Sequence, residues 1–131
     1  MAFFELRQYK VLPGKMDGWV KVMEEEIIPF QVSQGMIICG SYRGETDDSV
    51  YVWIRRFDTE EQRKAQYAAV YESDHWKTKI APRVPEYLDR SAIVVTRKAG
   101  RKRWNQRTAA QARPAGSRHL GHDRRDVVGR R

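Results

Sequence analysis

The chain is poor in the residues that disulfide, metal and nucleophile chemistry require. One cysteine, Cys39, occurs among 131 residues; it can form no internal bridge and no Cys-rich metal site, and a reducing compartment is expected. Of the three histidines only His75 precedes residue 99, the others being His119 and His122. A lone imidazole with no second ligand three or four residues away argues against a metal centre, and neither metal nor cofactor is expected. Gly14, Gly35, Gly40 and Gly44 are scattered as turn or bulge positions, so no phosphate-cradling glycine loop is present. No apolar run approaches the roughly 20 residues of a membrane span. The opening MAFFELRQYK lacks a cationic segment followed by an apolar run, so no secretory signal is read there. A soluble, cytoplasmic protein without a membrane partner is expected.

What is abundant is charge, unevenly placed. Residues 1–98 hold 15 basic and 15 acidic side chains, whereas 99–131 hold 10 basic and 2 acidic, so the net charge of +8 belongs entirely to the tail. A neutral body argues against a nucleic-acid-binding fold, and only the tail could touch phosphates. The chain therefore divides into a folded domain over 1–98 and a basic segment over 99–131, whose low hydrophobicity and high charge predict disorder. The tail composition also matches out-of-frame, GC-rich coding sequence. Its RKRWNQR (101–107) allows at most unspecific, salt-sensitive attachment to nucleic acid.

Within the body, FFELRQYKV (3–11) alternates as a half-buried strand, with Glu5, Arg7 and Tyr9 on one face and Phe4, Leu6 and Gln8 on the other. Pro13-Gly14 marks a turn, and Asp17 is a candidate helix cap. Met16, Trp19, Met23, Ile27 and Phe30 then form an apolar helical stripe, which Pro29 should end or kink. MIICGSYR (36–43) and VYVWIRRF (50–57), joined by GETDDS, read as a hairpin. Thr59-Glu60-Glu61-Gln62 fits a capping box that starts a helix running to about Tyr71. Ser73-Asp74 reads as a break or a new cap ahead of His75, Trp76 and Ile80, and SAIVVTR (91–97) as a last strand. The order β-α-β-β-α-β is that of a ferredoxin-like α+β sandwich, with both helices on one face of an antiparallel sheet. The strands offer apolar residues on both faces (Val50, Val52 and Ile54 against Tyr51, Trp53 and Phe57), so homodimerisation through the bare face is expected.

Candidate site residues are few. Arg7 and Tyr9 either line a cleft, where they would orient an anionic or carbonyl-bearing ligand, or form subunit-interface pairs. Arg63, Tyr67 and Tyr71 share one face of the second helix; a phenol there could hydrogen-bond a ligand, or the rings could be core. His75 is a candidate general base or a surface residue beside Trp76. His75 and Tyr71 are the catalytic candidates, and Arg7, Tyr9, Arg63, Tyr67, Tyr71 and His75 the ligand-binding ones. Trp19, Trp53, Phe57 and Trp76 read as core. Glu24, Glu25 and Glu26 point in three directions, as a solvated face does. Cys39 reads as a small buried hydrophobe. No opposed carboxylate pair, Ser/His/Asp set or Cys/His set can be assembled.

The opening FFELRQYKVLPGKMDGW, then EEEIIP (24–29), YVWIRRF and YESDHW (71–76), in this order and spacing, resembles the NIPSNAP family over residues 3–97. The resemblance implies a dimeric α/β barrel of two ferredoxin-like subunits, in a superfamily that includes cofactor-free monooxygenases, isomerases, dehydratases and haem proteins. Their ligands commonly lie between sheet and helices. It supplies no catalytic set: where many relatives carry H-x-W near the third strand, this chain has Tyr51-Val52-Trp53. The tail is no part of the resemblance. The expected protein is a homodimer binding a small apolar or aromatic ligand in a cleft of each subunit, with cofactor-free acid–base or monooxygenase-type chemistry as an option. The alternative is a non-catalytic dimerisation or interaction module whose aromatics are all structural.

Overall fold

A computed structural model describes residues 2–99; the expectations for the basic tail lie outside the described residues. Four strands, β1 (Phe3–Val11), β2 (Ile37–Arg43), β3 (Val50–Phe57) and β4 (Leu88–Ala99), form one antiparallel sheet in the order β2-β3-β1-β4. Helical segments follow β1 and β3, giving an α+β domain of ferredoxin-like topology. Tyr9 and Val11 of β1, Tyr51 and Trp53 of β3, and Trp19, Val22, Met23 and Ile27 of the first helical arm share one core on the covered face. A second cluster, Phe3, Met36, Phe57 and Val70, fills the space under the second arm.

The first arm runs as α1 (Met16–Val22), a π turn (Met23–Ile27) and α2 (Ile28–Ser33). Asp17 is not its cap. The Pro13-Gly14 turn, with Gly14 at φ +74°, closes through Lys15 N–H donating to Leu12 O, so the helix starts at Met16. Asp17 sits in the first turn and pairs with Arg43 at 2.8 Å. Nor does Pro29 stop the arm. The π turn, in which Ile28 N–H donates to Met23 O, places Pro29 in the first turn of α2, where a missing N–H costs little. The arm ends instead in a Schellman motif: Gly35 at φ +94°, Gly35 N–H to Val32 O, and Met36 N–H to Gln31 O. The extra residue also shifts the inward face, so Gln31 is fully buried and Phe30 only partly.

The second arm begins with α3 (Glu60–Tyr71), where Thr59 Oγ1 accepts from Gln62 N–H at 3.0 Å and Gln62 Oε1 accepts from Asp58 N–H at 2.7 Å. Ser73 Oγ then caps a further turn by accepting from Trp76 N–H at 3.1 Å. A π turn (Trp76–Ile80) and a 3₁₀ turn (Ala81–Glu86) carry the chain past Pro82 and Pro85 into β4. That strand is longer than the sequence suggests, starting at Leu88 because its first residues pair with Lys10 and Val11.

Cys39 is exposed, not buried. It is the extra residue of a bulge between Ile38 and Gly40 on edge strand β2, so strict alternation does not reach it. On the uncovered sheet face Phe4, Leu6, Val50, Val52 and Ile54 are half-buried, and Ile37, Tyr42 and Val94 are exposed.

Candidate functional site

β1 and β3 pair so that Glu5 lies opposite Arg55, Arg7 opposite Trp53 and Tyr9 opposite Tyr51, all on the helix-covered face. Glu5, Arg55 and Gln31 are fully buried. Arg55 makes an ion pair with Glu5 Oε1, and its two terminal nitrogens donate to Tyr67 Oη and Tyr71 Oη at 2.7 Å each and to Gln31 Oε1 at 3.0 Å. Its guanidinium carbon lies 4.8 Å from the Trp53 ring centroid and 4.9 Å from that of Tyr67. Tyr67 Oη donates to the Glu5 carboxylate, 2.5 and 2.6 Å from its oxygens. Arg63 Nε reaches Glu5 Oε2 at 3.3 Å. Burial alone would raise the Glu5 carboxyl, but the Arg55 charge and the hydrogen bonds from Tyr67 and Arg55 outweigh it and hold the group at about 2. Burial pushes the Tyr67 phenol up to about 12, against the Arg55 charge and with help from Glu5. The carboxylate is thus fixed as an anion and the phenol as a donor.

Beside this network lies a cavity of about 160 Å³ under the first arm. Arg7 and Tyr9 of β1, Trp53 of β3, and Tyr71 and Trp76 of the second arm line it. Arg7 Nε donates to Tyr9 Oη at 2.8 Å, and Arg7 Nη1 lies 3.3 Å from Glu5 Oε1. Burial, opposed by Arg7, raises the Tyr9 phenol. Tyr71 belongs to both regions. Its hydroxyl accepts from Arg55, and its ring meets Trp76 edge-on at 4.8 Å. The phenol oxygen accepts from Arg55 at 2.7 Å and from Gln31 Nε2 at 3.5 Å, which leaves the Tyr71 proton to be donated elsewhere.

Three backbone irregularities converge here. Met23 and Ile27 come from the first π turn, Trp76 from the second, and Arg90 and Ile93 from a bulge in β4. In that bulge residues 90–93 stand opposite the single residue Tyr9, because Gln8 pairs with Val94 and Lys10 with Asp89. π turns and bulges each break regular pairing, and both recur beside functional sites.

Of the ligand-binding candidates, Arg7, Tyr9 and Tyr71 line the cavity. Arg63 and Tyr67 turn to Glu5 instead. His75 is exposed and packs against Phe30, ring centroids 4.6 Å apart, away from the cavity lining. Sequence reasoning missed Arg55, Glu5 and Gln31 as a connected set. The signal for Arg55 was present, since alternation in VYVWIRRF puts it in register with Tyr51, Trp53 and Phe57, a cation among core positions. Trp19 and Trp53 are buried as expected, but they also wall the cavity. Among the described residues no group of His, Cys, Asp or Glu could hold a metal ion, and no helix is long and apolar enough to cross a membrane. The cavity's arginines and rings suit a flat, electron-rich organic molecule.

Known structures share this architecture. A NIPSNAP family protein from Agrobacterium tumefaciens is 17% identical with a TM-score of 0.69, the match covering 78% of this chain and 95% of that one. An uncharacterized NIPSNAP domain protein from Burkholderia xenovorans is 17% identical at a TM-score of 0.68, over 79% of this chain and 99% of that one. An antibiotic biosynthesis monooxygenase is 13% identical at 0.59, over 76% and 99%. At these identities the likeness establishes the fold alone. No curated protein matches the chain. The NIPSNAP family model matches residues 4–100, the strands, both helical arms and the cavity they enclose, and the chain belongs to the NIPSNAP family.

Proposed function

We propose that the protein is a homodimer that binds a small apolar or aromatic molecule in the cavity between sheet and helices, with Tyr71 as the proton donor to it. The observation that carries this reading is the convergence of two π turns and a β-bulge on one aromatic-walled cavity, with Tyr71 held by Arg55 at 2.7 Å. A core filled only for stability gains nothing from three breaks in regular pairing around an unfilled space of about 160 Å³. The chemistry this arrangement favours is acid–base or monooxygenase-type reaction without a cofactor. A held phenol polarises a carbonyl or phenolic oxygen, and the aromatic walls shield much of the resulting anion from water. The fold shared with an antibiotic biosynthesis monooxygenase supports that class by analogy. Dimerisation is supported by the half-buried apolar row on the uncovered sheet face, with Tyr42 58% exposed and Val94 51% exposed at its margins.

Native mass spectrometry of gently purified full-length protein tests both parts at once. The expected spectrum shows twice the subunit mass plus a small molecule that is lost in Ala81→Trp, which fills the cavity from its lining. A monomer would refute dimerisation. A ligand retained by Ala81→Trp, or none retained from any expression host, would refute binding in the cavity.

A further inference from the structure

We infer that the cavity is a receptor for a single-ring planar anion, a carboxylate or phenolate, held between Arg7 and Arg90. The inference rests on the ligand-binding reading above and names the chemical class of the occupant.

The charge balance beneath the helices points to an anion. Glu5 is matched by Arg55, with which it shares its closest ion pair, while Arg63 shares Glu60 with Arg97 at 3.3 and 2.5 Å and does not line the cavity. Among the described residues that line the cavity, Arg7 is a largely buried cation without a carboxylate of its own. Its side chain is only 18% exposed, and its nearest carboxylate oxygen, 3.3 Å away, is the one that Arg55 already binds. A largely buried guanidinium without a carboxylate of its own is costly, and an incoming anion relieves that cost. Arg7 Nη2 makes no side-chain hydrogen bond among the described residues, and Arg7 lines the cavity.

The walls repeat the pattern. Among the described residues that line the cavity there is no carboxylate, amide or imidazole side chain. The rings of Trp19 and Trp53 wall the cavity, with their indole N–H groups buried behind its surface. The hydroxyl oxygens of Tyr9 and Tyr71 already accept from Arg7 and Arg55. The wall therefore offers donors, Arg7 Nη2 and the Tyr71 hydroxyl proton, and no acceptor side chain free to meet them, the complement of a carboxylate or phenolate.

The bulge supplies the second cation. Asp89 accepts from Ser91 N–H at 3.0 Å and from its hydroxyl at 2.6 Å, which turns the chain at the start of residues 90–93 and sets Arg90 on the cavity lining. Arg90 is exposed and has no ion pair among the described residues, as suits a contact at the mouth. Size then limits the occupant. A dry cavity of about 150 Å³ takes up one benzene, so about 160 Å³ admits one ring with its acidic group toward the arginines.

The test uses benzoate and benzamide, which share size and planarity and differ in charge. Each is titrated into ¹⁵N-labelled full-length protein while the indole N–H resonances of Trp19 and Trp53 are followed. Benzoate is expected to shift those resonances and to bind about tenfold tighter than benzamide, the gain of a charge-assisted contact over a neutral one. Arg7 also touches Glu5, so the decisive variant is Arg90→Gln at an exposed position. It is expected to weaken benzoate several-fold and leave benzamide unchanged. Equal affinity of the two probes, or an unchanged ratio in Arg90→Gln, overturns the anion assignment and leaves cavity binding standing. Failure of both probes to shift either indole overturns the cavity reading with it.

Discussion

Arg55 and Arg7 sit on neighbouring strands beneath the same helices, yet they live in opposite circumstances. Arg55 is fully buried and its terminal nitrogens are saturated by Glu5, Gln31, Tyr67 and Tyr71. Arg7 shares a carboxylate that is already taken and otherwise meets only Tyr9 before facing the cavity. A buried ion surrounded by partners fixes geometry and has little left to offer a ligand. A partly buried ion with spare donors is held in place without being satisfied. The first arrangement belongs to the scaffold and the second to recognition. Tyr71, which touches both, is where scaffold rigidity becomes ligand orientation.

The comparison is broken most sharply by removing each cation in turn. Arg55→Met takes the closest counter-charge from the fully buried Glu5 and is expected to cost about 3–5 kcal/mol in urea unfolding, whereas Arg7→Met loses one shared ion pair and a phenol contact and costs about 1–2 kcal/mol. Equal losses would mean that Arg7 is as structural as Arg55. Acid sharpens the same contrast. Glu5 is held at about 2 against an ordinary value of 4.5, so its stabilisation is present above pH 4.5 and is lost as the pH falls toward 2. That window is expected to remove on the order of 3 kcal/mol from the native protein. In Glu5→Gln this component of the acid loss disappears, and an unaltered acid profile would place the titrating group elsewhere. The smallest effect is expected from Thr59→Ala, which removes the cap of α3 and costs about 1 kcal/mol in the same unfolding assay. It should leave cavity binding intact, because Tyr71 is held by Arg55 and not by the helix start; weakened binding would show that the two regions are not separable.

Much of the scaffold was legible because its signals are local. The alternation of FFELRQYKV fixes which side chains share a face, and TEEQ marks the start of α3 through two hydrogen bonds made within five residues. The same alternation put Arg7 and Tyr9 beside Glu5, and helical spacing put Tyr67 and Tyr71 on one face of α3. Legibility failed where the period breaks. The π turn at Met23–Ile27 let the chain continue through Pro29 and moved Gln31 inward. The bulges exposed Cys39 and brought Arg90 to the cavity. A period of 2.0 or 3.6 cannot register inserted residues, because the insertion is stabilised by distant neighbours and not by the residues beside it.

The order of elements, the faces of β1 and β3 and the neutral charge of the body are written in the chain, since each follows from spacing and composition along it. It also carried the NIPSNAP resemblance. Folding alone settles that the face bearing Glu5, Arg7 and Tyr9 turns toward the helices, that Arg55 neutralises Glu5, and that Arg7 lines the cavity without a carboxylate of its own. The physical reason is that charge satisfaction is a property of three-dimensional neighbourhoods. Glu5 and Arg55 are 50 residues apart in sequence and become an ion pair only when β1 and β3 align in register.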